Sequence, residues 1–82
     1  MDLEILTPEK KIFEGTVVLV KVPGTKGSFA ILNMHAPIIS TLEKGEVKVK
    51  KTKNQEQIFT ISGGVVEVRN NKIIILAESV IE

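Results

Sequence analysis

Turn-forming residues break this chain into short β-prone segments at a spacing of about eight residues, and that rhythm restricts the fold more than any other feature. Pro8, Gly15, Pro23-Gly24, Gly27, Pro37, Gly45, Gly63-Gly64 and Asn70-Asn71 stand between runs rich in Ile and Val. β-branched side chains pack well on a pleated surface and lose χ1 freedom in a helix, so these runs read as strands. The expected strands are Asp2 to Leu6, Lys11 to Phe13 closed by Glu14-Gly15, and Thr16 to Val22 as one longer strand. They continue with Ser28 to Leu32, Gly45 to Lys50, Glu56 to Ser62, Val65 to Arg69 and Lys72 to Ala77. Ala36 to Leu42 leans to strand because Ile38-Ile39 is β-branched. Lys51 to Gln55 reads as a hairpin loop, and Asn70-Asn71 as a tight hairpin turn, since Asn tolerates positive φ. Pro23-Gly24 suits a type II turn. No segment has a convincing helical period. Nine to ten short, mostly antiparallel strands predict an all-β, two-sheet sandwich, with a small barrel as the related alternative.

The chain has 82 residues, enough for one domain over residues 1–82. Small domains bury a limited fraction of their surface, so modest stability is expected without a partner. There is no cysteine, hence no disulfide framework and no thiol chemistry, and with no charged-then-apolar leader this favours an intracellular chain. The longest apolar run, Ile73 to Ala77, is far too short to cross a bilayer. Eleven basic and ten acidic residues nearly cancel, which gives no footprint for nucleic acid.

Catalysis requires acid, base or nucleophile groups that converge, and none can be assembled here. His35 is the lone histidine and reads as a loop residue bonded to its neighbours. Without cysteine or a second histidine, no metal site is expected. Val22 to Ser28 resembles a phosphate loop only superficially, because Lys26 is followed by glycine and a strand rather than a helix. Lys48, Lys50, Lys51 and Lys53 read as a basic strand edge that discourages edge-to-edge pairing. Gly63-Gly64 reads as a bend where another backbone comes close. Val17, Leu19, Ile38 and Ile74 exceed what one thin core can hold and suggest a partner-facing patch.

Taken in order, the segments resemble the N-terminal domain of the epsilon subunit of F-type ATP synthases. The resemblance rests on Leu3 to Gly15 (LEILTPEKKIFEG), Val22 to Gly27 (VPGTKG), His35 to Ile39 (HAPII) and Gly45 to Val47. Phe59 to Val68 (FTISGGVVEV) and Ile75 to Glu78 complete it. It implies a β-sandwich that binds no cofactor, is not itself an enzyme, and works in the rotor against the gamma subunit and the membrane ring of c subunits. Thr7, Ile39, Ser40 and Ser62 match positions facing gamma. Gly27, Ser28, Asn33, Met34 and His35 match the ring end. The expected location is peripheral, on the cytoplasmic face of a bacterial inner membrane. The family commonly has an acidic residue at Ser28, glycine at Ala30 and Pro-Gly at Asn33-Met34, so a less electrostatic ring contact through Met34 is expected. Most bacterial relatives continue into an inhibitory helical hairpin. With the sequence ending at Glu82, that hairpin is expected to be absent, along with inhibition by it. A lipoyl- or biotinyl-type carrier domain is the alternative, with Lys21 or Lys48 as the modified residue, although both lie mid-strand. A sugar- or peptide-binding sandwich lacks the aromatic platform for stacking.

Overall fold

A computed structural model describes residues 1–81. Ten strands follow one another: β1 (Asp2–Leu6), β2 (Lys11–Thr16), β3 (Leu19–Val22), β4 (Phe29–Leu32), β5 (Ile38–Leu42), β6 (Gly45–Thr52), β7 (Gln55–Ile61), β8 (Gly64–Arg69), β9 (Lys72–Ala77) and β10 (Val80–Ile81). They form two five-stranded sheets, in the orders β2-β1-β9-β8-β5 and β10-β7-β6-β3-β4. Every pairing is antiparallel except β1 with β9, which run parallel with Leu3 beside Ile73 and Ile5 beside Ile75.

The core lies between the sheets. Leu3, Ile5, Val66, Val68, Ile73 and Ile75 from the first sheet meet Val20, Val22, Ile31, Val47, Val49 and Ile61 from the second. Each such side chain contributes roughly 1.5–3 kcal/mol by leaving water. Phe13 and Phe59 close one side edge-to-face, with ring centroids 5.9 Å apart. Among the described residues no side-chain nitrogen or oxygen is buried without a partner, and no polar residue is buried.

Four local expectations change. Thr16 to Val22 is not one strand. The Val17 N–H donates to Met1 O at 2.8 Å in the first sheet, and the Val18 N–H donates to Lys50 O at 2.8 Å in the second. The chain therefore changes sheets across one peptide. The two sheets face the core from opposite sides, so the inward alternation inverts there. Val17 is buried with Val20 and Val22, while Val18 is exposed, so Val17 is core and not surplus. Second, Glu14-Gly15 does not close β2. Gly15 pairs with Leu3, and the Phe13 ring lies 3.5 Å from where its Cβ would stand. Third, β6 runs to Thr52 and β7 starts at Gln55, so only Lys53-Asn54 separate them. Fourth, Pro23-Gly24 is no type II turn, because Gly24 lacks the positive φ that Gly27 has at 125°. Gly24 is needed for space instead, since its Cβ would stand 2.6 Å from the Gly27 carbonyl oxygen. The Asn70-Asn71 turn is as expected, with φ of 51° and 60°.

Candidate functional site

A strand in the middle of a sheet shows alternate residues to the two faces, so a strand apolar on both faces buries one and leaves the other in need of a partner. β9 reads Lys72-Ile73-Ile74-Ile75-Leu76-Ala77. Ile73, Ile75 and Ala77 enter the core, and Ile74 and Leu76 point outward. The register aligns Leu6, Leu76, Val65 and Thr41 in one row across β1, β9, β8 and β5. The next row is Glu4, Ile74, Glu67 and Ile39. Leu76 is 53% exposed and Ile39 72% exposed. The outer face of the first sheet thus carries an apolar patch of Leu6, Leu76, Val65 and Ile74 over three strands, with Ile39 on β5 standing across Glu67 from Ile74, and it is bordered by Glu4, which pairs with Lys11 at 3.5 Å and Lys72 at 3.6 Å.

The sequence-expected positions fall into three places. Thr7 and Ser62 lie at the end of the first sheet where β1 finishes and β8 begins. Thr7 Oγ1 donates to Lys10 O at 3.1 Å, and the Ser62 and Ser79 hydroxyls are 2.8 Å apart. Ile39 stands on the outer face, and half-buried Ser40 turns toward the other side of β5, its Oγ donating to Thr41 O at 3.2 Å. Gly27 and Ser28 precede β4, while Asn33, Met34 and His35 follow it, so the two loops sit at opposite ends of one edge strand. The Gly27 N–H donates to Gly24 O, and Gly24 bridges Leu42, which pairs with Gly64, so the Gly27-Ser28 loop lies at the Ser62 end of the sandwich, whereas Met34 bonds Asn71 at the other end. Met34 has φ 62° and is 73% exposed. His35 keeps its Nδ1 2.7 Å from Ala36 O, as a loop residue bonded to its neighbour.

Leu6, Val65 and Leu76 escaped sequence reading as site residues. Their signal was present in the unbroken run of β9, since a central strand apolar on both faces marks two buried faces. Among the surplus residues named from sequence, Ile74 does lie on this patch, half-buried.

The lysines do not form an edge. β6 lies at the centre of the second sheet, between β7 and β3, so no edge-protecting role is open to it. Lys21 and Lys48 face each other across β3 and β6, and Lys50 pairs with Glu56 at 3.9 Å. Neither Lys21 nor Lys48 is at a hairpin tip, where a carrier domain presents its modified lysine. No group of three or more metal-ligating side chains is found among the described residues. No helix there is long and apolar enough to cross a membrane.

The model of the ATP synthase delta/epsilon chain β-sandwich domain matches residues 1–82. The chain belongs to that family. It is 42% identical over 78 residues to the ATP synthase epsilon chain of Chlorobium limicola, covering 95% of this chain and 89% of that one. The epsilon chain of Dichelobacter nodosus is 38% identical over 74 residues, which are 90% of this chain and 52% of the relative. The chain thus spans nearly all of some curated epsilon chains and about half of others. Two solved structures share the fold. One is a central stalk and c-ring structure of the Tetrahymena thermophila mitochondrial ATP synthase, with TM-score 0.83, 24% identity, and coverage of 100% of this chain and 66% of that one. The other is from the Euglena gracilis mitochondrial enzyme, with TM-score 0.90, 18% identity, and coverage of 96% and 51%. An epsilon chain is a non-catalytic subunit of the synthase, which accords with a surface built for docking.

Proposed function

We propose that this chain acts in the rotor of an F-type ATP synthase, binding the side of the gamma subunit and resting on the c-ring. In this role it couples ion-driven rotation of the ring to ATP synthesis. The observation that carries the reading is the apolar patch of Leu6, Ile74, Leu76 and Val65, with Ile39 across Glu67 from it, on a sheet face that none of the described residues covers. An exposed apolar patch of this kind on a small domain marks an interaction site. Gamma occupies this face and reaches Thr7 and Ser62 at its end. The ring meets the side bearing the two loops around β4, through Gly27, Ser28, Asn33, Met34 and His35. The chain then sits peripherally on the cytoplasmic face of a bacterial inner membrane, held by these contacts alone. The solved relatives from central stalk and c-ring assemblies support the reading by their shared fold.

The test is size exclusion of the chain mixed with the gamma subunit of the same organism at micromolar concentration. A stable one-to-one complex is expected. Two folded proteins that elute separately would limit the likeness to fold and overturn the assignment.

A further inference from the structure

We propose that the outer face of the second sheet is a second docking surface, and that its occupant is a protein segment presenting a carboxylate among apolar side chains. This goes beyond the proposed function, which gives gamma the opposite face of the sandwich and leaves this one unassigned.

The register builds the face. Val20, Val22, Val47 and Val49 enter the core, so the residues between them on β3 and β6 turn to solvent. Lys21 and Lys48 therefore stand directly opposite each other in the middle of the sheet, with Ile58 beyond Lys48 on β7 and Ala30 beyond Lys21 on β4. The neighbouring row is Glu56, Lys50, Leu19 and Leu32. Lys50 is paired with Glu56 at 3.9 Å, whereas neither Lys21 nor Lys48 makes an ion pair among the described residues. Glu46, two residues before Lys48 on the same face, pairs with neither. Like charges directly opposite in a sheet cost the fold, and here no counter-charge among the described residues offsets the cost. Leu32 is 54% exposed and Ile58 47% exposed, so the two cations sit between apolar side chains that are themselves uncovered.

A cation pair of this kind fits one kind of surface. Opposed residues in a sheet have Cβ atoms about 4.5–5.5 Å apart, so a single carboxylate set over the pair reaches both ammonium groups. Apolar neighbours of that carboxylate cover Ile58 and Leu32, and the water they exclude strengthens the charge contact. An anionic bilayer fits less well. Lys21, Lys48 and Lys50 share the face with Glu46 and Glu56, which leaves little net charge for a diffuse negative field to act on. The chain also has no Trp or Tyr to anchor it among headgroups. A localised carboxylate selects the two unpaired lysines and avoids the glutamates.

The experiment strips this subunit from the synthase of the same organism and measures rebinding of the unmodified chain and of Lys48→Glu. The substitution removes the facing like charges, so the variant folds at least as well, yet it repels a carboxylate on the partner. Its affinity for stripped synthase is expected to fall roughly tenfold, and its affinity for isolated gamma to stay unchanged. Lys48→Gln removes one charge and adds none, and is expected to lose less. In the reassembled complex a carbodiimide is expected to join Lys21 or Lys48 to an Asp or Glu of another subunit, located by mass spectrometry. Unchanged rebinding by Lys48→Glu overturns the proposal. So does acylation of Lys21 and Lys48 by an amine reagent at the same rate in the complex as in the free chain. Loss of gamma binding by Lys48→Glu overturns the separation of this face from gamma. Binding of the free chain to phosphatidylglycerol vesicles, abolished by Lys48→Glu, overturns the protein occupant in favour of a lipid one. An unmodified chain that binds neither stripped synthase nor gamma overturns the proposed function, a result distinct from any difference between the variants.

Discussion

At Gly64 the sandwich leaves no room for a side chain. A Cβ there would collide with the Leu76 carbonyl oxygen and stand 3.0 Å from Ala77 Cα, and the backbone holds φ at 157°. These obstacles are backbone atoms, which cannot swing aside. Gly64→Ala is therefore expected to cost on the order of 3 kcal/mol, read from the urea midpoint, a large share of the total for a domain of this size. This need was legible in Ser62-Gly63-Gly64 as a bend with a close approach, because only glycine admits it. Gly24 was legible only as a turn residue, and the carbonyl it must accommodate comes from the fold of the whole 23–28 loop. Lys11 shows a smaller effect with a definite sign. Its hydrogen bond to Glu14, and then the Glu14 charge, raise its pKa above the ordinary value. A raised folded-state pKa means the stabilisation is fully present below the unfolded value and is lost as pH rises through the folded one. Glu14→Gln is thus expected to flatten the fall in melting temperature as pH rises past the ordinary lysine value of about 10.4.

β9 places two neighbours in opposite roles. Ile75 is fully buried, and Ile75→Ala is expected to destabilise by about 2–5 kcal/mol through lost burial and a residual cavity. Leu76 faces outward on the same strand, so Leu76→Ala is expected to change stability by less than about 1 kcal/mol. Equilibrium unfolding of both variants checks the contrast. The second sheet offers a charge test. Lys21 and Lys48 stand directly opposite each other, and like charges in that register are destabilising. Lys48→Glu is expected to raise stability by about 0.2–1 kcal/mol at low salt, an advantage that molar salt should erase. Strand existence was legible because alternation and β-branching are local. The crossing at Val17-Val18 was not, because the unbroken apolar run Val17-Val18-Leu19-Val20 carries no mark of where the chain leaves one sheet for the other. The same limit made the β6 lysines read as an edge, since neighbours in a sheet come from distant parts of the sequence.

At the scale of the whole molecule, two sheets share one core but differ outside it. The first shows the apolar patch around Leu76, and the second shows Lys21, Lys48 and Lys50 beside Leu19, Leu32 and Ile58. The family and the sandwich were legible from the order and spacing of the motifs. The docking face was legible only in part. Ile74 stood out as an apolar residue without a place, and the hairpin across Asn70-Asn71 sets it beside Val65 and Leu76, whereas joining them to Leu6 required the parallel pairing of β1 with β9, which no local pattern encodes. The central claim is that the outer face of the first sheet is where gamma binds. Titration calorimetry of gamma with Leu76→Glu, and with Ile58→Glu on the outer face of the second sheet, tests it most directly. A buried unpaired carboxylate at an interface centre is costly, so Leu76→Glu is expected to weaken binding by about a hundredfold while Ile58→Glu binds as the unmodified chain does. Equal binding by Leu76→Glu, or loss confined to Ile58→Glu, would contradict the account.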